Sequence, residues 1–298
     1  MKANDNKLIY VLITAIVCLI IGFISGRLSV STTNEITTEG EVSEENESAE
    51  LADTFTYTDG YGNIKVESLD NKANLCEYDK DGFVNDGTNL AYTESGYTTR
   101  LGVDVSYHQD DIDWAKVADA GYEFAIIRVG YRGSTQGGLV MDENFYSYAD
   151  GAYSAGLDIG CYFFSQAVNE EEAVEEANFV LNAIKGMHIS MPVVYDPELV
   201  EGSSNRTSNM TRDEYTKCAI AFCNTIKNGG YDAMIYSNLD WEINNFDMSE
   251  LTDYDFWYAD YKNTPQSPYA FTIWQASESA TVPGINGNMD IDLEIKKQ

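Results

Sequence analysis

The chain has 298 residues, 44% of them hydrophobic, and carries 49 acidic against 18 basic residues for a formal charge of −31. That length supports a full-sized core. The charge excludes nucleic acid and anionic membrane surfaces as partners, because both need clustered Lys and Arg.

Taken in order, residues 8–24 (LIYVLITAIVCLIIGFI) are apolar and uncharged and follow Lys2 and Lys7. The run is longer than the ~7–15 apolar residues of a secretory signal and no A-x-A site follows it. It fits a transmembrane signal-anchor with its amino end inside and the C-terminal domain extracellular. The alternative is a cleaved signal and a secreted protein. Cys18 follows the bulky Val17, which argues against lipid attachment there. Residues 31–54 are rich in Ser, Thr and Glu and read as an acidic disordered linker. Residues 55–99 hold short aromatic and β-branched runs broken by Asp-Gly, Gly-Asn and Asn-Asp turns, a β-hairpin-rich extension too small to be stable alone.

From residue 100 to the end, strands and helices alternate. LGVDVS, EFAIIRVGY, LDIGCYFFS, MPVVYDPE, AMIYSNL, DFWYADY, FTIWQAS and MDIDLEI read as eight strands. Helices are predicted near Trp114–Ala120, after Asp142, after Asn169 and after Thr211, the last two opened by capping-box pairs with Glu172 and Glu214. Beyond Gly229 and Gly230 the helices shrink. The pattern predicts an α/β fold, a TIM-like barrel of (β/α)5(β)3 type. An open doubly wound sheet is disfavoured because no Gly-rich phosphate loop follows any strand. No cofactor is implied, and two histidines, His108 and His188, give little support to a metal site. Cys161 is a small core residue, and Cys218 and Cys223, five apart on a helix, face different ways.

Chemistry concentrates at the predicted carboxyl ends of the strands, where such barrels place their active sites. In MPVVYDPE, Asp196 and Glu198 lie two apart and project to one face, with Pro197 marking the strand end. Alone, such a pair reads first as two solvated acids at a strand end. Asp104, Asp260 and Asp290 or Asp292 fall at other strand ends, accompanied by Tyr107, Tyr131, Tyr162, Phe164, Tyr236, Trp241, Trp257 and Trp274. Carboxylates and aromatic faces around one mouth suit cleavage of a sugar polymer; for each aromatic the competing role is core packing.

Four stretches, GVDVSYHQDDIDWAKVADAGYEFAIIRVGYRG, PVVYDPE, MIYSNLDW and WQASESATVPGINGNMDIDLEI, resemble in order the glycoside hydrolase family 25 muramidases, the Chalaropsis-type lysozymes. The resemblance covers roughly residues 101–298. It implies hydrolysis of the β-1,4 bond from N-acetylmuramic acid to N-acetylglucosamine in peptidoglycan, with Glu198 as proton donor, Asp196 its partner and Asp104 a supporting acid. It matches Asp290 to the family's acid near the carboxyl end, and with the strand-end aromatics Tyr107, Tyr162, Phe164, Tyr236, Trp241 and Trp274 this residue is expected to bind substrate. Three positions depart from the family pattern: Pro197 stands where Trp is often found, Ala276 where an aromatic commonly follows Trp-Gln, and Asp292 where Asn is usual. The expected partners are peptidoglycan glycan strands and, through the N-terminal helix, a lipid bilayer. The alternatives are a peptidoglycan-binding barrel without turnover, which has no need of a placed proton donor, and another barrel glycosidase acting on N-acetylated glycans.

Overall fold

A computed structural model describes residues 53–298 except 88 and 201–204. The expected membrane span at 8–24 and nearly all of the acidic linker lie outside the described residues. Among the described residues no helix is long and apolar enough to cross a membrane.

Two hairpins come first, β1 (Thr54–Thr58) with β2 (Ile64–Ser68) and β3 (Phe83–Asn85) with β4 (Leu90–Tyr92). The barrel follows: β5 (Tyr97–Val105), α1 (Trp114–Asp119), β6 (Tyr122–Arg132), β7 (Leu139–Met141), α2 (Phe145–Ser154), β8 (Asp158–Ser165), α3 (Glu170–Ala183), β9 (Val193–Pro197), α4 (Arg212–Asn228), β10 (Ala233–Asn238), β11 (Asp255–Ala259), β12 (Ile273–Ala280) and β13 (Met289–Lys297). Seven strands, β5, β6 and β8 to β12, run parallel around the barrel. β13 closes the ring between β12 and β5, antiparallel to both, and β7 adds as an antiparallel edge on β6.

The eight expected strands therefore form a closed barrel, with one reversal that alternation did not predict. Between β12 and β13 there is no helix, and the connection is too short for the crossover of a dozen or more residues that a parallel return needs. The fifth crossover, after β10, is likewise only a π-helical turn (Trp241–Asn245) and a 3-10 turn (Met248–Glu250). Both helix starts with capping signals are realised. Thr211 and Glu214 form a reciprocal capping box, while Asn169 accepts from the Glu172 amide as Glu172 itself accepts from Val168. Asp142 is not the N-cap of α2, which begins after Asn144; its carboxylate accepts from Arg128 and from the backbone amides of Asn144 and Tyr107.

Strand parity sorts the side chains into two cores. Phe124, Ile126, Val194, Met234, Trp257 and Ile273 fill the barrel interior. Their neighbours in sequence, such as Ala125, Ile127, Val193, Tyr195 and Ile235, face outward and pack with the helices in a larger outer core. α1 to α4 accompany only the earlier strands. Over the helix-poor side, the segment before the barrel takes the place of helices. Tyr78 and Phe83 set their rings 5.1 Å from Phe271 and 5.4 Å from Trp274, respectively. The Tyr78 hydroxyl donates to the Phe271 carbonyl at 2.8 Å, and Ala270 and Cys76 exchange backbone bonds with the extension and the barrel loop. Phe83 sits at the centre of this contact, with Tyr92 at 4.7 Å. Phe83→Ala is expected to destabilise the protein by about 3 kcal/mol, the usual cost of emptying a buried aromatic site, read as a lowered urea midpoint.

Candidate active site

At the carboxyl end of the parallel strands lies a cavity of about 370 Å³. Four of the predicted acids, Asp104, Asp196, Glu198 and Asp290, line it together, with Tyr162, Phe164 and Tyr236. On β9, Val194 packs inside the barrel, Asp196 is the next inward residue, and Glu198 follows just beyond the strand. The two-residue spacing thus does what strand geometry requires. The Gln166 amide donates to the Glu198 carbonyl at 2.6 Å and holds the chain where it leaves the sheet.

Asp290 arrives differently. It lies near the amino end of β13, and the reversal of that strand brings it to the same rim, opposite Asp104 in register. The outward residues of β13 (Met289, Ile291, Leu293, Ile295) pack in or against the outer core. Asp290, Asp292 and Glu294 alternate with them and form an acidic column inside. Glu294 meets Arg100 at 2.6 Å at the far end of the barrel. Asp292 is fully buried beneath the cavity and accepts from Trp257 Nε1 at 2.8 Å. It does not line the cavity, so its departure from the family pattern touches the barrel floor.

Three predicted sugar contacts do not line this cavity. Trp241 is buried between Tyr215 and Phe246, at 4.8 and 5.0 Å. Trp274 is an outward residue of β12: its neighbours Ile273 and Gln275 face the interior, and its indole donates to the Asp260 carbonyl under the extension. Tyr107 lies beside the cavity with Arg128 over its ring at 4.9 Å. Asp260 also turns away from the cavity, accepting from the Gln266 amide and the Tyr258 hydroxyl.

Other lining residues carry equal weight and were not singled out from sequence. Arg128 follows Phe124 and Ile126 on the inward face of β6, and an arginine in an otherwise apolar buried run was the signal for it. Its guanidinium pairs with buried Asp142 at 2.9 Å. Gln275 donates to Asp104 Oδ2 at 2.8 Å and accepts from the hydroxyls of Tyr236 and Tyr261, each at 3.0 Å. One amide thereby fixes an acid and two aromatic walls. Trp257, Tyr261 and Glu278 also line the cavity, as do Ser106, His108 and Gln109 just after β5.

The electrostatics are those of crowded, dehydrated acids. Burial, then Asp290, raises Glu198. Burial, then Asp292 and Asp290, drives Asp104 well up against the Gln275 hydrogen bond. Burial and Glu198 push Asp196 up as well, with Arg128 opposing. Like charge thus adds to burial at Glu198, and the charge is that of Asp290 and not of its neighbour Asp196. Asp196 is not left with an ordinary carboxylate, and the acids titrate as a set. Asp196 Oδ1 and Arg128 Nη2 are buried without protein partners, and both residues line the cavity. Buried polar atoms left open in a cavity are those a bound ligand satisfies.

A family model of the glycosyl hydrolases family 25 matches residues 103–285. The chain belongs to that family. The autolytic lysozyme of Clostridium acetobutylicum is 27% identical over 192 residues, 64% of this chain and 54% of its own length. Lysozyme M1 of Streptomyces globisporus is 26% identical over 198 residues, 63% of this chain and 65% of its own. The chain therefore spans between half and two thirds of these relatives. Its fold is similar to that of the modular autolysin LytC of Streptococcus pneumoniae (TM-score 0.61, 24% identity, 80% of this chain and 56% of that one). It is also similar to that of a family 25 glycosyl hydrolase from Bacillus anthracis (TM-score 0.55, 19% identity, 70% and 93%).

Asp290 supplies a direct electrostatic test. Burial, then Glu278, raises it to about 6 from an ordinary 3.8. The folded state binds this proton more tightly than the unfolded chain, so the associated stability is present below about 4 and lost as pH rises through about 6. Asp290→Asn is expected to be more stable than the parent at pH 7, and the difference should close as pH falls to about 4. Paired thermal melts across that range measure it.

Proposed function

We propose that this protein is a peptidoglycan muramidase that hydrolyses the β-1,4 bond from N-acetylmuramic acid to N-acetylglucosamine. The observation that carries this reading is the placement of Glu198 with Asp196 in one cavity at the carboxyl end of a family 25 barrel. Lysozymes are among its relatives, and LytC has been described with a synthetic peptidoglycan ligand.

In the proposed mechanism Glu198, kept protonated by burial and by Asp290, donates its proton to the glycosidic oxygen as the C1–O bond breaks. The carbonyl oxygen of the 2-acetamido group of the muramic sugar attacks C1, giving a cyclic oxazolinium. Asp196, the acid on which Arg128 bears, orients the acetamido N–H and balances the positive charge. Glu198, now a carboxylate, takes a proton from water as that water opens the ring at C1. The anomeric configuration is retained, and the proton donor is restored. Asp104, tied by Gln275, supports the floor beneath the reacting sugar.

Digestion of purified peptidoglycan is expected to leave N-acetylmuramic acid at the new reducing ends, with the β anomer appearing first by NMR. N-acetylglucosamine at those ends would overturn the bond assignment, and an initial α anomer would overturn retention. Glu198→Gln should lower turnover by at least about 10³-fold, toward the upper range for a lost general acid, while glycan still binds. Ordinary activity in that variant would remove Glu198 from its role.

We further propose that residues 8–24 anchor the enzyme in the membrane with the barrel outside. The support is the unbroken apolar run after Lys2 and Lys7. The full chain should then resist carbonate extraction, and external protease should release the barrel by cleavage within residues 31–53. A soluble mature protein that begins beyond Gly26 would show a cleaved signal instead.

A further inference from the structure

The cavity that holds Asp196 and Glu198 has a neighbour at its rim. Two of its wall residues, Tyr236 and Tyr261, also line a second hollow of about 600 Å³. That hollow is bounded by the tip of the first hairpin, from Tyr57 to Gly60, and by the turn after β10, through Asn238, Asp240 and Asn244. Tyr261, which lines both hollows, is 47% exposed, so part of its ring is offered to solvent. Its hydroxyl is held by Gln275, the residue that also holds Asp104, so this shared wall is fixed to the floor of the first cavity.

The hairpin tip is built to stay in place. The Thr58 amide donates to Gln266 Oε1 at 2.7 Å, and Gln266 Nε2 donates back to the Thr58 carbonyl at 3.3 Å, as a neighbouring strand would. Gln266 is itself anchored through its own amide to Asp260. Inside the turn, Asp59 Oδ1 accepts from the amides of Tyr61 and Asn63 at 2.9 and 2.8 Å. Tyr57 is braced by Phe55, with the rings stacked 6.0 Å apart. The hairpin lies outside residues 103–285, so this wall is an addition to the part of the chain that matches the family.

We propose that the groove is a second glycan subsite, continuous with the cleft, which binds N-acetylated sugars of the same strand beyond the bond being cut. This rests on the muramidase reading for the identity of the polymer. A linear glycan held across Glu198 has to leave the cavity at both ends, and the Tyr236–Tyr261 wall opens one such path. The chemistry matches: Tyr57 and Tyr261 present aromatic faces to the apolar sides of pyranose rings, and Asn244 presents an amide to hydroxyl and acetamido groups. The enzyme should therefore favour long strands over short oligosaccharides.

The test compares the full-length protein on glycan strands stripped of stem peptides with a tetrasaccharide of the same repeat. Tyr57→Ala and Asn244→Ala, from opposite elements, should each lower the ratio of kcat/KM for long over short substrate by about tenfold, roughly 1.4 kcal/mol of lost binding. The loss should appear in KM for the long strands. Ile64→Ala, on the same hairpin but 77% exposed and outside the groove, should keep the parent ratio. Equal losses on long and short substrates, an unchanged ratio in both groove variants, or a length preference that requires stem peptides would each overturn the subsite. Calorimetry on the Glu198→Gln background separates the two proposals. Long strands that bind there and lose affinity with Tyr57→Ala uphold the subsite even if the parent cuts nothing. A parent that cuts peptidoglycan with no dependence on strand length upholds the cleavage and removes the subsite.

Discussion

Closure of the barrel depends on β13, which runs against both of its neighbours. Its register against β5 places Asp290 opposite Asp104, Asp292 opposite Gly102, and Glu294 opposite Arg100. At the far end this is an opposite-charge pair, 2.6 Å apart, where cross-strand attraction is favourable. At the mouth it is a like-charge pair, which is unfavourable. Between them Gly102 is required for space: a Cβ there would come within 2.1 Å of the Phe124 ring, which fills the interior beside Asp292. The strand is thus stabilised at one end and on its apolar outer face, and the repulsion it carries is concentrated where the cavity opens.

The outer face of that half of the barrel presents a second constraint. Leu293, Ile295, Phe271 and Trp274 need cover, and none of the four α-helices follows β10, β11 or β12. Tyr78, Phe83, Tyr92 and Tyr97 provide it, as a cluster of rings mostly meeting edge-on or tilted. A segment recruited for packing is thereby brought to the functional rim. The loop of the second hairpin reaches it too: Asn85 donates to the carbonyls of Lys262 and Ala276, and Asn85 and Gly87 line a hollow that shares Tyr261 and Glu278 with the acidic cavity. Core burial and site architecture are therefore one problem on this side of the molecule. The position held by Ala276, where the family pattern has an aromatic, lies in that same hollow.

Strand alternation explains most of what was legible beforehand. A period of two in MPVVYDPE sends Val194, Asp196 and Glu198 one way and Val193 and Tyr195 the other, and the barrel obeys it. The same rule, applied residue by residue to FTIWQAS, places Gln275 inside and Trp274 outside. Reading the tryptophan as a sugar platform gave chemistry priority over parity. Trp241 misled for another reason: it follows a strand end, where the aromatics were read as part of the mouth, whereas the short turn folds its indole into the core against α4. Arg128 and Gln275 escaped notice because each sits within an apolar or mixed run and its partners, Asp142 and Asp104, are distant in sequence. The reversal of β13 depends on the length of one connection, to which periodicity within the strand is blind.

Among the described residues that line the cavity there is one arginine or lysine for several acids, and that cation is already engaged. Arg128 gives its Nε to Asp142, so it can offset only part of the charge on Asp104, Asp196, Glu198 and Asp290. Water could screen such a group at a surface, but Asp104 and Asp196 are buried, and dehydration favours their neutral forms. Adding a proton anywhere in the set relieves repulsion throughout it, so the protons are shared and their number responds to whatever enters the cavity. Under the proposed muramidase reading, a neutral sugar would displace the remaining water and strengthen retention of those protons. A positive charge developing at C1 would do the opposite by stabilising the carboxylates that face it. On that reading the cluster would hold a proton in the ground state and release it as the glycosidic bond breaks. That response requires both the crowding imposed by β13 and the single guanidinium that bears on Asp196.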